Sequence, residues 1–577
     1  MGRPLILSLF SVLLYTLGLS LRVPHTRERP PLAGKVLEVV GGLKSGGILV
    51  KSGRALSSPE SEQRLSTSSL VTALEQDGER LRYTLLSGSG PRDGWVSLRA
   101  KNTRLLAEVG EEGTKAFTDK EPAAAQKGKV WLMTQGSRGD VQPIIALGVA
   151  MMKVGFQVRM FVSSNFKDFV ESYGILFTEF GENAQAMVDE KRRTWSPDEV
   201  EKEETEADLE ETFCSEATVR KNARTVVDLL NLETPDLVVS FLQLCGIAPI
   251  IAWKKSGVPV VNFYYTPHAL VLGLEDVKEK IEKWKEKDAK WIENEVGINP
   301  LEDCDSNECI DLLFNRSIAF VSPSCLDVFS DDEVAKAAES LELIREKCKG
   351  FLHLGRALRM KDLRSFGGFD TLSKIQHYLD AGTPPAYVGW GSIPVPTVVL
   401  LKLLVVMRML QMRVIVCAGW GAHNLETVME TLESTMPGDP MGLRPYISDL
   451  CYVDVAPHDW LFPRCCLTVH HGGAGTTYAA VRAGVPTIVM PVAIDQYFWA
   501  DWVIQLGIGE KIMMRENTNK LMDQTWATVI RKAAADADMI AKAKSFGEIA
   551  RSEDSAAEAA ETLSKLVLHS RGEQQDT

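Results

Sequence analysis

Cys466-Leu467-Thr468-Val469-His470-His471-Gly472-Gly473-Ala474-Gly475-Thr476-Thr477 carries an apolar strand into a glycine turn, and the turn into a helix that starts near Thr476. The chain then passes Gly484-Val485-Pro486, enters a second apolar strand at Thr487–Pro491 and reaches Asp495-Gln496. Strand, helix and strand at this spacing form one parallel crossover unit. Upstream, Ala386–Gly389, Arg413–Ala418 and Leu450–Val453 are further strand candidates separated by helical patterns. Asp554–Leu568 is an amphipathic helix followed by a polar tail. Residues 380–568 therefore read as one doubly wound α/β domain.

Residues 129–365 repeat the plan. Val130–Thr134, Phe156–Val162, Leu237–Phe241 and Val258–Tyr264 are apolar strands, and Val141–Val154 has helical apolar spacing. The acidic stretch Asp198–Glu211 reads as a solvated helix or loop. Two doubly wound sheets in succession imply a cleft, with ligands at the carboxyl ends of the strands. Residues 35–109 differ: short runs such as Val36–Val40, Gly47–Val50 and Leu81–Leu86 alternate with Gly and Ser turns. That pattern predicts a small antiparallel barrel or sandwich. Its run Gly94-Trp95-Val96-Ser97 is similar to the closing strand of SH3-like barrels. Residues 110–128 read as a linker.

Residues 1–34 are read as a targeting segment and a Pro/Arg-rich linker. Pro4–Leu21 is uncharged and Leu-rich, with Arg3 before it and Arg22, Arg27 and Arg29 after it. A secretory signal, a signal anchor and an organelle address all fit. The later apolar run Val398–Met407 is too short to span a bilayer and contains Lys402.

A net charge of −13 excludes a general nucleic-acid binder, which needs a basic surface. The ten cysteines form no paired C-x-x-C units, so they read as buried thiols rather than a zinc site or a disulfide framework. Asp303-Cys304-Asp305 and Asp536-Ala537-Asp538 have the D-x-D spacing of metal-dependent transferases, but neither follows an apolar strand. No metal site is expected.

The turn at 471–476 suits an anion. Its glycines let the backbone approach a ligand, and the helix start offers free N–H groups with partial positive charge. The plain alternative is a tight turn without a ligand. Asp495-Gln496 adds a carboxylate and an amide suited to the vicinal hydroxyls of a hexose. In the N-terminal domain, Gly136-Ser137-Arg138-Gly139-Asp140-Val141-Gln142-Pro143 places Asp140 at a strand end facing the cleft. Asp140 reads equally well as a proton acceptor and as a helix cap.

Pro457-His458-Asp459-Trp460-Leu461-Phe462-Pro463, the turn 471–477 and Asp495-Gln496 together resemble the donor-site signature of the sterol 3-beta-glucosyltransferases, a family of GT-B UDP-glycosyltransferases. Pro384–Ser392, Ala418-Gly419-Trp420-Gly421 and Gly136–Pro143 are similar to further elements of that family. The resemblance implies a GT-B fold, two facing Rossmann-like domains, preceded here by the small all-β module. It implies that Ser392, His471, Gly473, Ala474, Gly475 and Thr476 hold the diphosphate of a UDP-sugar, and that Asp495 and Gln496 hold the hexose. Asp140 becomes the general base of an inverting transfer of glucose from UDP-glucose to a sterol or similar lipid, with no metal or other cofactor. His268, after Thr266-Pro267, is a candidate for the acceptor side of the cleft, with a structural role as the favoured alternative. Between about 180 and 350 the sequence departs from the family pattern: Ser322-Pro323-Ser324 keeps a Ser-Pro element, but the expected Pro-Lys-Asp-Trp is missing. A non-sterol acceptor, or a non-catalytic nucleotide-sugar or lipid binder, are the alternatives. The resemblance also leaves room for association with a membrane surface.

Overall fold

The computed structural model describes residues 32, 35–41, 47–66, 69–87, 90–100, 103–108, 127–183, 185–186, 215–241, 245–264, 290–297, 299, 317–319, 350, 352–353, 366–421, 423–492, 495–514 and 524–575. The expected targeting segment, the acidic stretch, His268 and Asp303–Asp305 lie outside them. The chain divides into two units, Met1–Ala116 and Phe117–Thr577.

In the first unit, β1 (Val36–Val39), β2 (Leu70–Asp77), β3 (Arg80–Ser87) and β4 (Asp93–Ser97) form an antiparallel sheet with a later strand. A two-stranded ribbon, β5 (Arg99–Ala100) and β6 (Thr103–Arg104), precedes that strand, β7 (Leu106–Glu108). The sheet order is β4-β3-β2-β1-β7. Alternate residues point inward: Leu37 and Val39, Val71 and Ala73, Leu81 and Tyr83 are all buried. The expected strand at Gly47–Val50 makes only isolated bridges, Ile48 to Leu65 and, just beyond it, Lys51 to Trp95. Gly47 sits at φ +121°, which breaks the ladder at its start.

The second unit holds two parallel sheets. The first contains β8 (Gly128–Met133), β9 (Phe156–Val162), β10 (Leu176–Glu179), β11 (Leu237–Ser240), β12 (Val260–Tyr264) and β13 (Ser317–Ala319). Its order is β10-β9-β8-β11-β12-β13, the Rossmann pattern, with the direction of winding reversing between β8 and β11. Helices α1 (Arg138–Lys153), α2 (Glu216–Leu230) and α3 (Ala248–Ser256) accompany it.

The second sheet contains β14 (Ala386–Gly389), β15 (Val414–Cys417), β16 (Cys451–Val453), β17 (Leu467–His470), β18 (Thr487–Val489) and β19 (Gly509–Lys511). Its order, β16-β15-β14-β17-β18-β19, repeats the first, and its winding reverses between β14 and β17. The helices here include α4 (Gly368–Asp380), α5 (Thr397–Met409), α6 (Leu425–Thr435), α7 (His458–Leu461), α8 (Ala474–Ala483), α9 (Gln496–Gln505), α10 (Gln524–Ala535), α11 (Ala537–Ser552) and α12 (Ser555–Gln575). None of the described helices is long and apolar enough to cross a membrane.

The last helix does not stay with its own sheet. Ala559, Ala560, Leu563 and Val567 of α12 are buried in one apolar cluster with Val141, Ile144 and Ile145 of α1. The C-terminal helix thus completes the core of the N-terminal half. Cys245, Cys417, Cys451 and Cys465 are buried free thiols and Cys466 is half-buried. Burial raises the Cys417 and Cys451 thiols to about 11, so both are inert at neutral pH.

Candidate active site

Both halves place their glycine motifs at the point where strand order reverses, where open α/β sheets bind ligands. After β8 the chain turns at Gly136 and starts α1 with Ser137 as its N-cap. Asp140 is the third helical residue, and its carboxylate closes a capping box by accepting from the Ser137 N–H at 2.6 Å. Ser137 Oγ in turn accepts from the Gly139 N–H at 3.2 Å. Gly136 is required here: its φ is +111°, and a Cβ would lie 2.3 Å from Asp140 Oδ2. The cap is therefore Ser137, with Asp140 answering it from within the first turn. One carboxylate oxygen is held while the group stays half-buried.

On the C-terminal side, β14 leads into the turn bearing Gly391 and Ser392, and β17 leads into His471 and Gly473. These two turns touch through His471. A Cβ on Gly391 would lie 2.9 Å from its Cε1, and one on Gly473 would lie 2.4 Å from its Nε2. The Gly391 carbonyl accepts from the Trp420 N–H at 2.8 Å, which ties in the turn Gly419–Gly421. The imidazole of His471 is buried, and its Nδ1 has no hydrogen-bond partner among the described residues. Burial lowers its pKa to about 4, so it is neutral at pH 7.

Helix α8 starts at Ala474, earlier than the glycine spacing suggests, because Gly473 adopts the extended geometry of an N-cap (φ −60°, ψ 139°). No side chain caps this end and no acidic residue lies in its first turn. The N–H groups of Ala474, Gly475 and Thr476 are thus the unpaired donors of a helix start. The neighbouring His470 has a purely internal role. Its Nδ1 accepts from the Gly472 N–H at 3.1 Å, so Nε2 carries the proton and donates to Thr487 Oγ1 at 2.8 Å.

Asp495 and Gln496 lie at the start of α9. Gln496 Oε1 accepts from the Val492 N–H at 2.8 Å. Asp495 accepts from Trp499 Nε1 at 2.9 Å. Its carboxyl is raised to about 6, chiefly by burial, against the Trp499 hydrogen bond and with a further contribution from the charge of Asp140. Asp140, from the other half of the molecule, is thus near enough for its charge to be felt at Asp495.

Arg138 and His458 carry features that glycine and carboxylate spacing did not single out. His458 Nε2 pairs with Tyr387 Oη at 3.0 Å, and its ring stacks on Phe462 at 4.4 Å. Burial, then the charges of Arg138 and His471, hold its pKa near 3. Asp536, in the second D-x-D triplet, caps α11 by accepting from the N–H groups of Asp538 and Met539 at 3.0 Å. Among the described residues, no three His, Cys, Asp or Glu side chains are grouped to hold a metal ion.

Residues 130–262 match the glycosyltransferase family 28 N-terminal domain, and residues 442–566 match the erythromycin biosynthesis protein CIII-like C-terminal domain. The chain is 26% identical to a sterol 3-beta-glucosyltransferase of Arabidopsis thaliana over 66% of its length, covering 59% of that relative. It is 28% identical to a sterol 3-beta-glucosyltransferase of Pichia angusta over 76% of its length, covering 34% of that relative. The chain thus spans less than two thirds of either protein. The glycotransferase of kitacinnamycin superposes with a TM-score of 0.51 at 15% identity, over 76% of this chain and 99% of that one, a likeness of fold alone. The chain is thus a homologue of the sterol 3-beta-glucosyltransferases, carrying a glycosyltransferase family 28 N-terminal domain on the GT-B fold.

Proposed function

We propose that this protein is an inverting glycosyltransferase that moves glucose from UDP-glucose to the hydroxyl of a sterol or similar lipid. The observation that carries the reading is that α1, which bears Asp140, packs against α8, whose start is uncapped. In this reading the diphosphate lies against the N–H groups of Ala474, Gly475 and Thr476, with Ser392 and the Nδ1–H of neutral His471 as further donors. Asp495 and the Gln496 amide take the sugar hydroxyls.

Asp140 accepts the proton of the acceptor hydroxyl as its oxygen bonds to the anomeric carbon. The bond from that carbon to the UDP oxygen breaks on the opposite face, and its electron pair leaves with UDP. Inversion converts an α-linked donor into a β-glucoside. Charge developing on the leaving diphosphate is met by fixed donors that need no rearrangement at the moment of reaction. The capping box suits this role, because it fixes the carboxylate's orientation through one oxygen.

UDP release from UDP-glucose by the full chain, with and without a sterol, tests the reading beside Asp140→Ala. Sterol-stimulated release that is lost in the variant supports it. UDP-glucose binding without stimulation would remove the sterol assignment, and absence of binding would remove the donor assignment.

A further inference from the structure

Arg138 opens α1 two residues ahead of Asp140 and takes no part in the transfer just described. A cation at a helix N-terminus gains nothing from its own helix dipole, so other contacts must hold it. Its guanidinium carbon lies 4.6 Å from the ring centroid of Phe169 and 4.2 Å from that of Phe366, and Nε donates to Gln142 Oε1 at 3.0 Å. Phe169 is packed in the core of the N-terminal half. Phe366 is buried just ahead of α4. That helix belongs with the second sheet, where Lys374 Nζ donates to the carbonyl of Tyr452 in β16 at 2.7 Å. The Arg138 charge also acts on Cys417, which ends β15, and on His458, which opens α7. One side chain therefore links the helix bearing Asp140 to the aromatic ring just ahead of α4.

We propose that Arg138 is a positioning residue that pins the start of α1, and with it Asp140, against the C-terminal half in the arrangement that transfer requires. This rests on the reading of Asp140 as the base. The planar guanidinium suits a place between two aromatic faces in a way that a lysine ammonium does not. A small displacement of a reacting group is enough to cost one to two orders of magnitude in rate (~10–100-fold).

The test uses the full chain with Arg138→Met, Arg138→Lys, Phe366→Leu and the Arg138→Met/Phe366→Leu pair. Thermal unfolding is measured without substrate, and kcat and KM with UDP-glucose and a sterol. Arg138→Met is expected to lower kcat at least ~10-fold while KM for UDP-glucose stays within ~3-fold. Phe366→Leu shows the same split, the double variant is no slower than Arg138→Met alone, and Arg138→Lys recovers part of the rate. Unchanged kcat in Arg138→Met, or a loss confined to KM, overturns the proposal. A wild type that transfers no sugar defeats the transfer reading itself. The substrate-free cycle still decides the pin, since additive changes in unfolding would show that Arg138 and Phe366 are not coupled.

Discussion

Asp495 ties the chemistry of the site to pH. Its carboxyl titrates near 6 in the folded protein and near 4 in an unfolded chain. Between those values the folded state holds more protons, so this group's contribution to stability falls as pH rises from about 4 to about 6 and is level above that. Asp495→Asn removes this slope, worth up to about 2 kcal/mol, and urea unfolding at pH 4.5 and pH 7.5 checks it. Donor capture by an ionised Asp495 has the opposite trend. The wild-type kcat/KM for UDP-glucose is expected to fall below about pH 6, and the Asn variant to be low and flat. At His471 the unpartnered Nδ1 is the group that the diphosphate would satisfy. His471→Phe fills the space without the donor and is expected to lower kcat by about 10²-fold with little loss of Tm. A comparable loss from His470→Phe would arise through instability, because both nitrogens of that ring serve Gly472 and Thr487.

At the scale of elements, the turn after β8 and the turn after β17 do different work. The first orients a carboxylate and the second exposes helix donors. Gly136→Ala is expected to cost about 1–3 kcal/mol, since it strains a left-handed residue and displaces Asp140. Activity should fall further than stability explains, and kcat measured at a temperature where both proteins are folded separates the two. The strands flanking these turns were legible because they are buried on both faces and read as continuous apolar runs, as in Val130-Trp131-Leu132-Met133 and Val414-Ile415-Val416-Cys417. Leu176-Phe177-Thr178-Glu179, at one edge of its sheet, and Gly509-Glu510-Lys511, at the edge of the other, were not. Edge strands have one open side and mix polar with apolar residues. The sequence located Asp140 but left base and cap as rival roles. Asp140 is in fact part of a cap, and accepting a hydrogen bond there does not stop a carboxylate from taking a proton.

For the whole molecule, the decisive feature is the return of α12 to the N-terminal half. Its amphipathic pattern was visible, but which sheet it covers depends on packing that no local pattern encodes. Leu563 is buried with residues of α1, so Leu563→Ala is expected to cost about 2–5 kcal/mol. The destabilised core would be that of the half carrying Asp140, although the residue lies at the far end of the chain. Limited proteolysis of the variant should therefore cut first within residues 127–264. The long-range influence of Asp140 on Asp495 was equally invisible locally. Asp140 follows the first strand of one sheet and Asp495 the fifth strand of the other, so only the packing of the two halves brings the charge of one near the other.

The most direct measurement is transfer of radiolabelled glucose from UDP-glucose by the full chain into organic-extractable product, with cholesterol or ergosterol offered, followed by assignment of the anomeric configuration. The account predicts a β-glucoside from the wild type and at least a ~10²-fold slower reaction from Asp140→Asn, with UDP-glucose still bound. An α-glucoside, or an Asp140→Asn enzyme as fast as wild type, would contradict it.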